Sequence, residues 1–328
     1  MIDFRYHLVS LVGVFLALAI GVVLGAGPLR DSIGDTLSGQ VDLLREDRLQ
    51  LQSQVDDLAA QLDARDAVLT SLAPVVAGSA LSGTSTVVVA LPGADPEVVA
   101  DLAGAVEDAD GSVSGVVQVE DEWIAPESAA QREDAAASLP EQALGSLPAD
   151  EVGTPATLAA ALADAVVAPG PALGGTASVA GPEVLDVLVG ADLLSLDGDP
   201  ALRAGTALVV APGAESEPGA GDEAWLASRS AADLALLAAL DAASGGVVLA
   251  GPATAADDGG ALAVLRQDGL AAQVSGVDGA ASPAGSLVAV LALREQVEGG
   301  AGQYGSRQGA SAALPTPGAA GADDGGEG

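Results

Sequence analysis

The sequence predicts a mixed α/β protein carried behind a long helical N-terminus, and three observations predict it. Residues 8–27 contain one polar side chain, Ser10, and no charge. Apolar residues then recur at alternating gaps of four and three over residues 37–72. From residue 84 onward, short β-branched runs alternate with helix-like segments, the signature of a Rossmann-like, mostly parallel α/β domain.

Residues 1–7 form a short cytoplasmic head with Arg5 as its fixed charge, and Phe4 and Tyr6 sit where an interfacial aromatic belt would lie. Residues 8–27 make about 30 Å of helix, one hydrocarbon thickness. An uncleaved transmembrane anchor is expected, with the bulk of the chain extracytoplasmic. A cleaved signal peptide is the competing reading, but its apolar core is usually shorter, about 7–15 residues. Gly13, Ala17, Gly21 and Gly25 recur every four residues along one face, which would let two helices approach closely in lipid. The plainer explanation is that Gly and Ala are abundant in this chain.

Gly27-Pro28 marks a break. Beyond it, Leu37, Val41, Leu44, Arg48, Leu51, Val55, Leu58, Leu62, Arg65, Leu69 and Leu72 define an a/d seam. A coiled coil over residues 35–73 follows, left-handed because its period is 3.5, and with it a homodimer or another coiled-coil partner. Arg48 and Arg65 on the seam either weaken the coil or pair with a neighbouring carboxylate such as Glu46, Asp47, Asp63 or Asp66. Pro74 is expected to end the rod, and Gly78, Ser79, Ser82 and Gly83 to form a hinge.

The α/β domain is expected over residues 84–300. Strands are read at 86–91, 112–119, 206–211 and 246–250, with a probable edge strand at 271–277. Asp95-Pro96-Glu97 reads as N-cap, N1 and N2 of a helix running to about Asp108. Further helices are read at 128–138, 157–167, 182–194, 223–242 and 260–267. Residues 285–297 fit either a helix or a last strand. Residues 140–156 and the acidic stretch 212–222 read as loops, and the Gly-rich tail within 301–328 as disordered after Ala310.

Composition narrows the chemistry. All eleven basic residues are Arg, and the net charge is −35, which repels nucleic acid. The chain has no cysteine, one methionine (Met1) and one histidine (His7), so disulfides, thiolate metal sites and Ser-His-Asp or Cys-His catalysis are out of reach. Acidic pairs such as Asp257-Asp258 are too numerous among 46 acids to be informative. No enzyme is expected. Three strands end alike, at Leu91-Pro92-Gly93, Ala211-Pro212-Gly213 and Ala250-Gly251-Pro252, along the sheet edge where α/β folds bind ligands. None of these turns is a GxGxxG or a P-loop, and short βα connections use the same residues.

Two blocks carry a family likeness. One is Arg5-x-His7-x-Val9-Ser10-Leu11, followed by the apolar run Val14-Phe15-Leu16-Ala17-Leu18-Ala19-Ile20-Gly21-Val22-Val23-Leu24-Gly25. The other is Gly302-Gln303-Tyr304-Gly305, with Gly309-Ala310 just after. Together with the order of parts, they resemble the mycobacterial copper transport protein B (MctB) family of actinobacterial membrane proteins. The resemblance implies copper efflux or homeostasis across the cell envelope. Some relatives resemble cell-separation factors that act with a cytoplasmic partner and peptidoglycan hydrolases. A non-enzymatic scaffold with an envelope or cell-division partner is therefore the alternative function. No cofactor is evident from the residues, and copper enters only through the resemblance. One span does not enclose a channel. Copper prefers Cys, Met and His, so no metal-ligand set is assigned.

Overall fold

The computed structural model describes residues 3–26, 28–144, 154–170, 177–198, 202–214 and 223–315. The chain divides into two units, Met1–Arg65 and Asp66–Gly328. Met1 and Ile2 of the head, Gly27 of the expected break, most of the loops at 140–156 and 212–222, and the tail from 316 lie outside the described residues.

In the first unit, α1 (Asp3–Ala26) is one uninterrupted helix, and Phe4–Val23 is long and apolar enough to cross a membrane. A helix closes its own backbone hydrogen bonds, as a hydrocarbon environment demands. The next helix, α2 (Pro28–Ala77), begins with proline, whose missing N–H is no loss in a first turn.

The end of α2 belongs to the second unit and corrects the expectation for Pro74. The helix continues through Pro74 to Ala77. Proline removes a single backbone donor. The turn beyond it is held because Ala77 packs in the core and the Gly78 N–H bonds the Pro74 carbonyl at 3.0 Å. Gly78, at φ +46°, is the residue that stops the helix. The following turn is no loose hinge: Leu81 is fully buried and its N–H bonds the Ala109 carbonyl at 3.0 Å.

From there β1 (Ser85–Ala90) leads to α3 (Pro96–Asp108), which starts as its sequence dictates: Asp95 accepts the Glu97 N–H at 2.9 Å and Pro96 occupies the first turn. Next come β2 (Ser112–Val119), α4 (Ala129–Ala137), α5 (Thr154–Val166) and α6 (Gly181–Gly190). Trp123, expected in a loop, is the last residue of a short 3-10 turn and is buried. A helix over 182–194 is not what forms. Asp192 adopts a left-handed φ of +49°, and Leu194–Gly198 becomes strand β3. The leucine-rich run 193–196 has no β-branched residue to announce a strand.

Strand β4 (Thr206–Val210), α7 (Glu223–Ala243), β5 (Val247–Gly251) and α8 (Ala261–Gln267) follow close to expectation. Strand β6 (Ser275–Asp278) was expected at an edge but is interior, because β7 (Gln303–Tyr304) pairs outside it. Residues 285–297 fall in helix α9 (Pro283–Val297), which settles the open alternative.

The seven-stranded sheet has the order β3-β2-β1-β4-β5-β6-β7 and is parallel except for β3. Alternate residues of the central strands face two cores. Val87, Val89, Val209 and Leu249 pack under α5, α6, α7 and α8. Val88, Leu208, Val210 and Val248 pack under α3 and α9. Burial on both faces explains why these strands read as continuous apolar runs. The chain reverses its direction of sheet growth between β1 and β4, which places the topological switch point there.

Candidate functional site

Three places were candidates: the sheet edge at the ends of β1, β4 and β5, the Gly302–Gly305 motif, and the helical N-terminus. The three strand ends are adjacent and parallel, as expected. Their turns, however, are laced to one another. The Leu91 N–H bonds the Val210 carbonyl, Ala211 N–H the Ala250 carbonyl, and Ala280 N–H the Gly251 carbonyl, at 2.8–2.9 Å. Gly251 lies against Ala255 and Ala211, where an added Cβ would sit 2.9–3.0 Å from their side chains. Backbone closure here serves packing. At the end of β2, burial raises the Asp121 carboxyl above the usual range, with help from the charges of Glu122 and Glu120.

The Gly302-Gln303-Tyr304-Gly305 motif forms β7 and a clasp around it. Asp278, the last residue of β6, is the centre. Its carboxylate accepts Arg266 Nη2 at 3.0 Å, the Ser306 N–H at 2.9 Å and the Arg307 N–H at 3.1 Å. Arg266 also donates to the carbonyls of Tyr304 (2.9 Å) and Gln308 (3.1 Å). Gly305 is required twice over: its φ is +127°, and a Cβ there would strike the Asp278 carboxylate. Gly302 leaves room for the Tyr304 hydroxyl. That hydroxyl donates to Glu295, and its pKa is pushed well up, first by burial and then by the hydrogen bond and charge of Glu295. Gln303 donates to the carbonyls of Ala271 (3.1 Å) and Val274 (2.9 Å). Residues 311–312 then fold back on Gln303 and Tyr304 and cover the outer edge of the sheet. Sequence reading singled out the motif but not Arg266 and Asp278, which hold it. The only trace they leave is an arginine in the last turn of the apolar helix α8 and an aspartate ending an otherwise uncharged strand.

On α1, a Cβ added at Gly13, Gly21 or Gly25 would meet nothing within 4 Å, and these glycines, like Ala17, are exposed. On α2, Val41, Leu44, Leu51, Val55, Leu58 and Leu62 are exposed, as are Arg48 and Arg65, while Leu69 is half-buried. No cluster of three or more His, Asp or Glu side chains able to hold a metal ion occurs among the described residues.

Residues 1–315 match the family model described as "Copper transport outer membrane protein, MctB". The chain belongs to the MctB family. The protein named "Copper transporter MctB" of Mycobacterium tuberculosis (strain ATCC 25618 / H37Rv) is 32% identical over 324 residues, covering 94% of this chain and 98% of its own. The protein of that name from Mycobacterium leprae (strain TN) is 31% identical over 335 residues, covering 95% and 98%. The match to the MctB family takes in the apolar helix, α2, the sheet and the clasp together.

Proposed function

We propose that this chain is a single-span, membrane-associated protein that acts in copper handling. Membership of the MctB family carries the reading, and the apolar helix α1 supports the membrane part of it. The proposed partition is a head (1–7), a span (8–27), a coiled-coil rod (35–73), a Rossmann-like domain (84–300) and a motif with a tail (301–328). The strand order β2-β1-β4-β5-β6 within the sheet supports the doubly wound part. The bulk is placed outside the cytoplasm. Homodimers form through the Gly13-Ala17-Gly21-Gly25 face and the seam Val41, Leu44, Arg48, Leu51, Val55, Leu58, Leu62, Arg65 and Leu69. The comparisons do not favour the alternative of a scaffold for cell separation. A strain lacking this chain is expected to be copper-sensitive. Normal copper tolerance with chained cells would reverse that preference.

The proposed role is not that of a lone pore. The sheet is open, with edges at β3 and β7 and helices on both faces, so it does not form the wall of a membrane barrel. Nor is the α/β domain proposed to bind copper tightly. Its only copper ligands are carboxylates, because the sole His and Met lie at the N-terminus. Titration of the soluble part, residues 84–310, against a Cu(I) chelator is expected to show no stoichiometric site at sub-nanomolar free copper. Tight binding there would restore direct carriage by this domain.

A further inference from the structure

Among the described residues, the two seam arginines of α2, Arg48 and Arg65, make no ion pair with a carboxylate. The one ion pair that α2 makes among the described residues is Arg45 with Asp42, at 3.3 Å on the exposed surface. Heptad positions follow from the spacing. Val41, Arg48, Val55, Leu62 and Leu69 take a, while Leu44, Leu51, Leu58, Arg65 and Leu72 take d. Valine at a with leucine at d favours two parallel strands.

In such a pair, a side chain at a packs into a hole that includes the partner's g residue one position earlier. A side chain at d packs into a hole that includes the partner's e residue one position later. The residue before Arg48 is Asp47, and the residue after Arg65 is Asp66. Each seam arginine of one copy therefore comes beside an aspartate of the other, and symmetry repeats the pair at each level. A slip of one heptad destroys both matches. Arg48 would then lie beside Gln40 or Gln54, and Arg65 beside Ala59 or Ala73.

We infer that Arg48 with Asp47, and Arg65 with Asp66, form two charged levels that admit a second copy of this chain in parallel and in one unshifted register. This rests on the homodimer proposed above and adds what fixes its alignment. The apolar positions supply the attraction, and they would tolerate a slip of one heptad because they repeat. The charged levels do not repeat, so they select the register.

The chain's lack of cysteine makes the test direct. Leu51→Cys in the full chain, oxidised in detergent micelles, is expected to give a covalent dimer, since facing d positions lie within disulfide reach. A size-tagged Leu44→Cys chain mixed with an untagged Leu51→Cys chain is expected to give only self-linked products. Arg48→Asp added to Leu51→Cys should cut the linked fraction roughly tenfold. Adding Asp47→Arg as well should restore it, because the pair is then reversed but intact. A tagged–untagged product as abundant as the self-linked ones would overturn the inference, as would linking that ignores Arg48→Asp. Either result would leave the dimer standing. Absence of any linked product, with a monomer in sedimentation, would overturn the dimer and the register together.

Discussion

Asp278→Ala is expected to cost about 3–5 kcal/mol of folding stability, the range for stripping one partner from a buried ion pair. The Asp278 side chain is 1% exposed and that of Arg266 is 3% exposed, so little solvent reaches either charge. The substitution leaves a guanidinium in the core without its counter-charge. It also orphans the N–H groups of Ser306 and Arg307, which the carboxylate accepts at 2.9 and 3.1 Å. Denaturant unfolding measures the loss, and hydrogen exchange at Ser306 and Arg307 should rise with it. Replacing both members by leucine should be milder than the single change, because no unpaired charge is left. A loss below about 1 kcal/mol for Asp278→Ala would mean that the clasp contributes far less than such a buried pair should.

Replacing Leu51 and Leu58 by Asp should dissociate the proposed dimer and leave the α/β unit folded. The two side chains are 61% and 59% exposed in the single chain. Burying each in a seam is worth about 1.5–3 kcal/mol before the entropy of association is deducted. Four introduced aspartates per dimer would both remove that gain and place like charges face to face. Sedimentation of a chain starting at Pro28 checks this without the contribution of the span. An unchanged mass in the double variant would exclude the seam as the contact. A monomer before substitution would exclude self-pairing and leave a foreign helix or the chain's own α/β domain as the partner of this face.

Much of the architecture was legible because local chemistry and tertiary context agree. Asp95-Pro96-Glu97 is a helix start in any context, and the valine runs of β1 and β4 are apolar on both sides because both faces of the sheet are covered. Where the two diverge, the sequence misleads. Strand β3 is written in leucine and serine and exists because the Val117 and Val119 region of β2 offers it an edge. Pro74 looks like a helix stop, but burial of Ala77 and the αL glycine Gly78 move the stop onward. The clasp was half visible. Gly302 and Gly305 stood out as a motif, yet the reason for them lies in Tyr304 and Asp278, and Asp278 is 27 residues before Gly305 in the chain. No local pattern joins residues at that distance. The seam, in contrast, is a purely local periodicity. Its proposed meaning is a pairing with a second chain, a contact that a single chain does not contain.

Copper handling by this chain is expected to depend on its being tethered to the membrane by α1. A strain lacking the gene, complemented either with the intact chain or with residues 28–328 behind a cleavable secretion signal, tests it through cellular copper content. Normal copper is expected with the intact chain and excess copper with the released one. Normal copper with the untethered chain, or no change in copper on deletion, would contradict it.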